Sequence, residues 1–164
     1  MLQIMTTTAF SYATELRPAF LAHMADRLDR LICNQTKELL IVNKVKAPVT
    51  CLSIMIFLLK NRSGAISDIA RLDGQSHQLI QSRIGPLEKL GLVETRIDAK
   101  DSRRRLLILT AEGTRDAKKV EAVSRQVASK LKIMNAELET DLMLLIEKAE
   151  RYLTRNPLNL DRGQ

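Results

Sequence analysis

Between Arg96 and Thr110 the chain reads RIDAKDSRRRLLILT. Lys100, Arg103, Arg104 and Arg105 crowd together there with Asp98 and Asp101, at the point where two runs of strand-forming residues meet. Cations at a strand turn can follow a phosphate backbone or enter a minor groove, while aspartates there favour the turn itself. Upstream, Gln75, Ser76, His77, Gln78, Gln81, Ser82 and Arg83 supply the amides, hydroxyls and cations that can pair with base edges. At 100 degrees per residue, Gln75, Gln78, Gln81, Ser82, Gly85 and Lys89 share one helix face, and Ile80, Ile84, Leu87 and Leu90 form the opposite, apolar stripe. A polar outer face is also what any solvated helix shows, so the amide face gains meaning only from the basic hairpin next to it in the chain. Arg105, one residue past the turn, reads as a solvent-facing strand residue.

The balance of the whole chain points the same way. Its 164 residues carry 26 Lys and Arg against 19 Asp and Glu, a formal net charge of +7. That favours a polyanionic partner, nucleic acid first and an anionic membrane surface second. No apolar run is long enough to span a bilayer, and the first residues, MLQIMTTTAFSY, lack the layout of a secretory signal, so a cytoplasmic protein is expected. Enzyme classes find little support: GxSxG, P-loop and GxGxxG patterns are missing. Cys33 and Cys51 stand alone and read as small buried hydrophobes, and His23 and His77 lie at no ligand spacing, so no metal or cofactor is expected.

The elements that must hold these residues are mostly helical. From Pro18, Leu21, Met24, Leu28, Leu31, Leu39 and Val42 keep three-and-four spacing and predict one long amphipathic helix. Thr50 is expected to cap a second helix, apolar nearly all round from Leu52 to Leu59 and hence buried on every side. NRSG turns the chain; Ser67 and Asp68 start a short helix that Gly74 can end in a left-handed conformation. The helix from Gln75 closes at Gly91. Pro86 lies inside it, which predicts a kink near Ser82 to Pro86 or a recognition segment confined to Gln75 through Arg83. LVETRI and RRLLILT read as an antiparallel hairpin, Thr110 as the cap of another long helix marked by Val120, Val123, Val127, Leu131 and Met134, and Asn135 as the cap of a last one that Pro157 stops.

Two short helices followed by a basic-tipped hairpin form a winged helix-turn-helix. The stretch GLVET through DAKDSRRRLLILTAEG resembles the wing signature of the multiple-antibiotic-resistance regulator (MarR) family, carried here by Asp98, Asp101, Arg103, Leu109, Thr110 and Gly113. The resemblance implies a mainly α fold with a small β-hairpin (α+β): a winged helix-turn-helix core, 48–110, between dimerisation helices at 9–45 and 111–156, all one domain over 1–164. It implies a homodimeric, sequence-specific transcriptional regulator on a pseudo-palindromic operator of double-stranded DNA, a repressor relieved by a small-molecule effector, with neither enzymatic nor membrane function. Independently, the terminal stripes are longer than one small core can cover, which asks for a partner.

By the same resemblance Arg103 enters the minor groove, Asp101 holds a neighbouring arginine such as Arg83, and Lys100 and Arg104 add phosphate contacts. Ala99 and Ser102 stand where relatives often have proline and a second arginine. For an effector pocket the chain offers Phe20, Met24, Met55 and Phe57, with Phe10 and Tyr12 nearby in sequence. Two other readings stay open: an oxidant-sensing regulator of this fold acting through Cys33 or Cys51, and a nucleoid-type structural DNA-binding protein without effector.

Overall fold

The structure, a computed structural model, describes residues 16–98 and 104–158, with Asp73 described by its backbone alone. The first helix begins later than its proline suggests. Arg17–Phe20 is a 3-10 turn, tightened by the Ala19 amide donating to the Leu16 carbonyl at 2.9 Å, and it leads into α1, Leu21–Val42. A second 3-10 turn, Val49–Cys51, precedes α2, Leu52–Asn61. Thr50 therefore lies inside the turn and does not cap α2; Cys51 takes that place without a side-chain bond. Nor is α2 buried all round: Ile54, Met55 and Leu58 are, whereas Leu52, Ile56, Phe57 and Leu59 keep partial exposure.

NRSG does more than turn. Ser63 and Gly64 form a two-residue strand, β1, paired antiparallel with Ile108 and Leu107, which makes the expected hairpin a three-stranded sheet. The sheet runs β1-β3-β2, with β2 at Val93–Ile97 and β3 at Arg105–Leu109 in antiparallel register from Val93 opposite Leu109 to Ile97 opposite Arg105. A strand of two residues carries no period-2 signal, so sequence alone could not show it.

α3 spans Ile66–Asp73 and starts one residue before the expected Ser67, with Ala65 as an N-cap that offers no side chain. Gly74 ends it in the left-handed region at φ +64°. α4 spans His77–Lys89, and the Ser76 hydroxyl caps it by accepting from the Leu79 amide at 3.2 Å. The helix continues through Pro86 to Lys89. Its missing hydrogen bond is offset by packing on both sides: Ile80, Ile84 and Leu87 are all in the core, each worth roughly 1.5–3 kcal/mol of burial. The exit is a left-handed close, with the Gly91 amide on the Glu88 carbonyl, the Leu92 amide on the Leu87 carbonyl, both at 2.9 Å, and Gly91 at φ +65°.

α5, Ala111–Glu137, starts where expected: the Thr110 hydroxyl accepts from the Gly113 amide at 2.9 Å. Asn135, however, lies inside α5 and caps nothing. The cap of α6, Leu142–Arg155, is Asp141, whose carboxylate lies directly before the helix and accepts from the Leu144 amide at 3.2 Å. The chain divides into two compact units, one ending at Val123 and the other beginning at Ser124. In the first, Ile54, Met55, Leu58, Ile69, Ile80, Ile84, Leu87, Leu92, Leu107 and Val120 close one hydrophobic core. There the buried Asp116 carboxylate, 3% exposed, accepts from the Lys46 and Ala47 amides at 2.9 Å each and ties the loop before α2 to α5. In the second, α6 buries none of its residues, and Met143, Leu144, Leu145, Ile146 and Leu153 stay exposed.

Gly113 shows how closely α5 approaches α4's exit. A Cβ built there would lie 1.7 Å from the Leu92 carbonyl oxygen, a backbone atom that cannot swing aside. Gly113→Ala is expected to destabilise the protein by about 3 kcal/mol or to prevent folding, read as a lowered chemical-denaturation midpoint. An unchanged midpoint would refute the packing described.

Candidate nucleic-acid interface

Helices α3 and α4 form the helix-turn-helix, with the turn at Gly74, Gln75 and Ser76. Because Ile80, Ile84 and Leu87 point inward, Gln75, Ser76, His77, Gln78, Gln81 and Ser82 are all exposed, as their helical phase predicts. Their chemistry is less uniform than their exposure. Ser76 is occupied as the cap, and the Ser82 hydroxyl donates to the Leu79 carbonyl at 2.8 Å. Gln75, Gln78 and Gln81 keep their amides turned to solvent and are the side chains best placed to read an external pattern of donors and acceptors. Arg83 differs again: it is half buried, the Cys51 thiol donates to its carbonyl at 3.5 Å, and its charge acts on that thiol.

The wing joins the same unit at the helix N-termini. The Asp98 amide donates to the Arg104 carbonyl at 2.9 Å and closes the base of the hairpin. The tip, with Lys100, Asp101 and Arg103, lies outside the described residues, so the expected partnership of Asp101 with Arg83 does too. Arg104 is held instead by Asp68, an ion pair between the wing and the first turn of α3, and Arg71 approaches the same carboxylate at 3.4 Å. Sequence reasoning missed Asp68 in this role, because nothing in local spacing links residues 36 positions apart. Arg105 is exposed, as expected of a solvent-facing strand residue, and with Ala65, Ile66, Ser67, His77 and Arg104 it lines a shallow depression of about 290 Å³.

Of the residues offered for an effector pocket, Met55 is 0% exposed and belongs to the core; Phe20 and Met24 lie at the start of the first helical stretch, half buried and exposed; Phe57 lines an open apolar groove of about 270 Å³ with Ser53, Ile56, Ile69 and Leu72. Phe10 and Tyr12 lie outside the described residues.

The cysteines part company. Cys51 is buried, and burial pushes its thiol above the ordinary range against the smaller opposing effects of Thr50 and Arg83. Cys33 is only half buried, contrary to expectation, because α1 leaves that face uncovered. Its thiol is raised as well, first by the burial it has, then by the charge of Asp29 and the hydrogen bond to that carboxylate at 3.6 Å. Neither side chain is set up as a thiolate at neutral pH.

A comparison with protein-family models finds no match, and one with curated proteins finds none. Solved structures do match. Overoxidized AbfR bound to DNA is 19% identical, with 86% of this chain and 97% of that one covered at a TM-score of 0.63. The transcriptional regulator BldR from Sulfolobus solfataricus is 19% identical over 87% and 98%, at a TM-score of 0.60. NadR in complex with 4-hydroxyphenylacetate is 23% identical over 79% and 88%, at 0.53. The fold is thus the one these structures share, a mainly helical α+β winged helix. Among the described residues, no helix is long and apolar enough to cross a membrane.

The cysteine geometry gives a direct expectation. Since both shifts are upward, alkylation of Cys33 should be slow near pH 7 and accelerate through the alkaline range, and Asp29→Asn should accelerate it at fixed pH by removing two of the three causes. Iodoacetamide labelling followed by mass spectrometry reads both rates, and identical rates in the two proteins would contradict the assignment.

Proposed function

We propose that this protein is a homodimeric, sequence-specific DNA-binding transcriptional regulator of the cytoplasm, not an enzyme, and that it acts as a repressor released by a small molecule. The observation that carries the reading is the joining of two kinds of chemistry on one unit. The exposed amide face of α4 adjoins Arg104 and Arg105 at the base of the wing, the first suited to base edges and the second to phosphates. The fold neighbours add support, since the AbfR structure is described as bound to DNA and BldR as a transcriptional regulator.

Dimerisation is supported by the apolar residues that each unit leaves exposed: Leu21, Leu31 and Ile41 on α1, and Met143, Leu144, Leu145 and Ile146 on α6. Two copies would bury such stripes and present two α4 helices to major grooves about 10 base pairs apart. Release by a small molecule is preferred over release by oxidation because both thiols are raised, and an apolar groove lies open beside Phe57. NadR offers a fold neighbour in complex with 4-hydroxyphenylacetate. On this reading the wing tip contributes Arg103 to the minor groove, with Lys100 on a phosphate and Asp101 positioning a neighbouring arginine.

Selection of binding sites from random duplexes tests the reading. It should return one site with two-fold related halves, still preferred at physiological salt, and sedimentation should give a dimer. Arg103→Ala should then weaken binding to that site about tenfold with the thermal midpoint unchanged. A single copy in solution, or affinity that falls alike for every sequence as salt rises, would overturn the proposal, the second outcome favouring a structural DNA-binding protein.

A further inference from the structure

The depression between α3, α4 and the wing has a chemistry that base reading does not require. His77 comes from the first residue of α4, Arg105 from the first of β3, and Ser67 from the first turn of α3. Among the described residues, none of these three side chains has a hydrogen-bond or ion-pair partner. The backbone adds donors. Ala65 cannot cap α3 with a side chain, and its carbonyl takes the amides of Asp68 and Ile69 at 3.0 and 3.1 Å, so the amides of Ile66 and Ser67 are the ones left over. At the rim stands Arg104, whose guanidinium is engaged by one oxygen of Asp68 while Arg71 approaches the other. Two arginines, Arg104 and Arg71, therefore share the Asp68 carboxylate, and Arg105 lines the depression with Arg104.

Resting on the DNA-binding reading, the geometry points to this depression as the seat of one phosphate of a DNA strand, gripped by Arg105, His77 and Ser67, with Asp68 holding Arg104 until the phosphate takes it over. A tetrahedral anion suits the site because every group facing it donates and the guanidinium forks match phosphate oxygens. The hand-over is cheap. Arg104 and Asp68 are both partly exposed, and pairs of that kind bind weakly. The Asp68 carboxylate, however, places a negative charge beside the incoming backbone, so it restrains binding to any sequence. The seat adds affinity and salt dependence without adding sequence preference.

Fluorescence anisotropy with the full chain, the selected duplex and a random duplex of equal length tests this across a salt series. Arg105→Ala should lower affinity for both duplexes by the same factor and reduce the salt slope by about one per copy, or two per dimer, with an unchanged thermal midpoint. Arg105→Lys should recover the slope and only part of the affinity. Asp68→Asn should tighten both duplexes and leave their ratio alone. A wild-type slope in Arg105→Ala, or weaker binding in Asp68→Asn, would overturn the seat while leaving the regulator reading intact; a wild-type protein that binds neither duplex would overturn both.

Discussion

One small junction holds the recognition helix, the wing and the long helix in register. The Thr110 hydroxyl donates to the Gly91 carbonyl at 2.6 Å and accepts from the Gly113 amide at 2.9 Å, and the Thr110 amide donates to the Leu92 carbonyl at 3.1 Å. Gly91 ends α4, Leu92 opens the way into β2, Thr110 ends β3 and Gly113 lies in the first turn of α5, so a single residue ties these elements together. The arrangement requires the missing Cβ at Gly113, because α5 is in backbone contact with Leu92. Buried polar groups are costly unless satisfied, so a junction in which each donor meets an acceptor has one stable geometry. The positions of Gln78 and Arg105 relative to each other depend on it.

Around that rigid centre the binding groups are held lightly. Asp68 and Arg104 are joined by a partly exposed ion pair, and among the described residues the side chains of Gln75, in the turn, and of Gln78 and Gln81, on α4, have no hydrogen-bond partner. That contrast suits a surface that must exchange water and internal partners for a polyanion: the scaffold fixes where the side chains begin, and their outer atoms remain free to bind. The same logic applies at the other end of the first unit, where buried Asp116 fixes the loop between α1 and α2 through two backbone amides, while Lys46 and Glu112 form a surface pair that raises the lysine and lowers the carboxylate through their mutual hydrogen bond.

The apolar surface divides in a similar way. Inside the first unit Ile80, Ile84, Leu87, Leu92 and Leu107 are sealed, and they account for the stability of the winged core. The stripes of α1 and α6 are left uncovered in the single chain, and the proposed dimer gives them an occupant of matching pattern. The groove beside Phe57 belongs to neither class. It is apolar and open, and its lining of Ser53, Ile56, Phe57, Ile69 and Leu72 belongs to the first unit.

The sequence by itself determined the order of helices and the hairpin, the inward stripe of α4, the cap at Thr110 and the left-handed exits at Gly74 and Gly91. Each of these is a local property, set by helical period, by a hydroxyl next to a free amide or by a residue without a Cβ, and so it can be read from a few neighbours. What only the tertiary structure decided lies between distant residues. The strand at Ser63 and Gly64 exists because β3 pairs with it; α4 continues through Pro86 because Ile84 and Leu87 are buried around the proline; Asp68 meets Arg104, and Arg105 lines one depression with His77, because the sheet brings them together. Met55 became core and Cys33 stayed half exposed for the same reason. A side chain's own element sets its phase, but its surroundings depend on what the rest of the chain packs against it, and no local pattern carries that information.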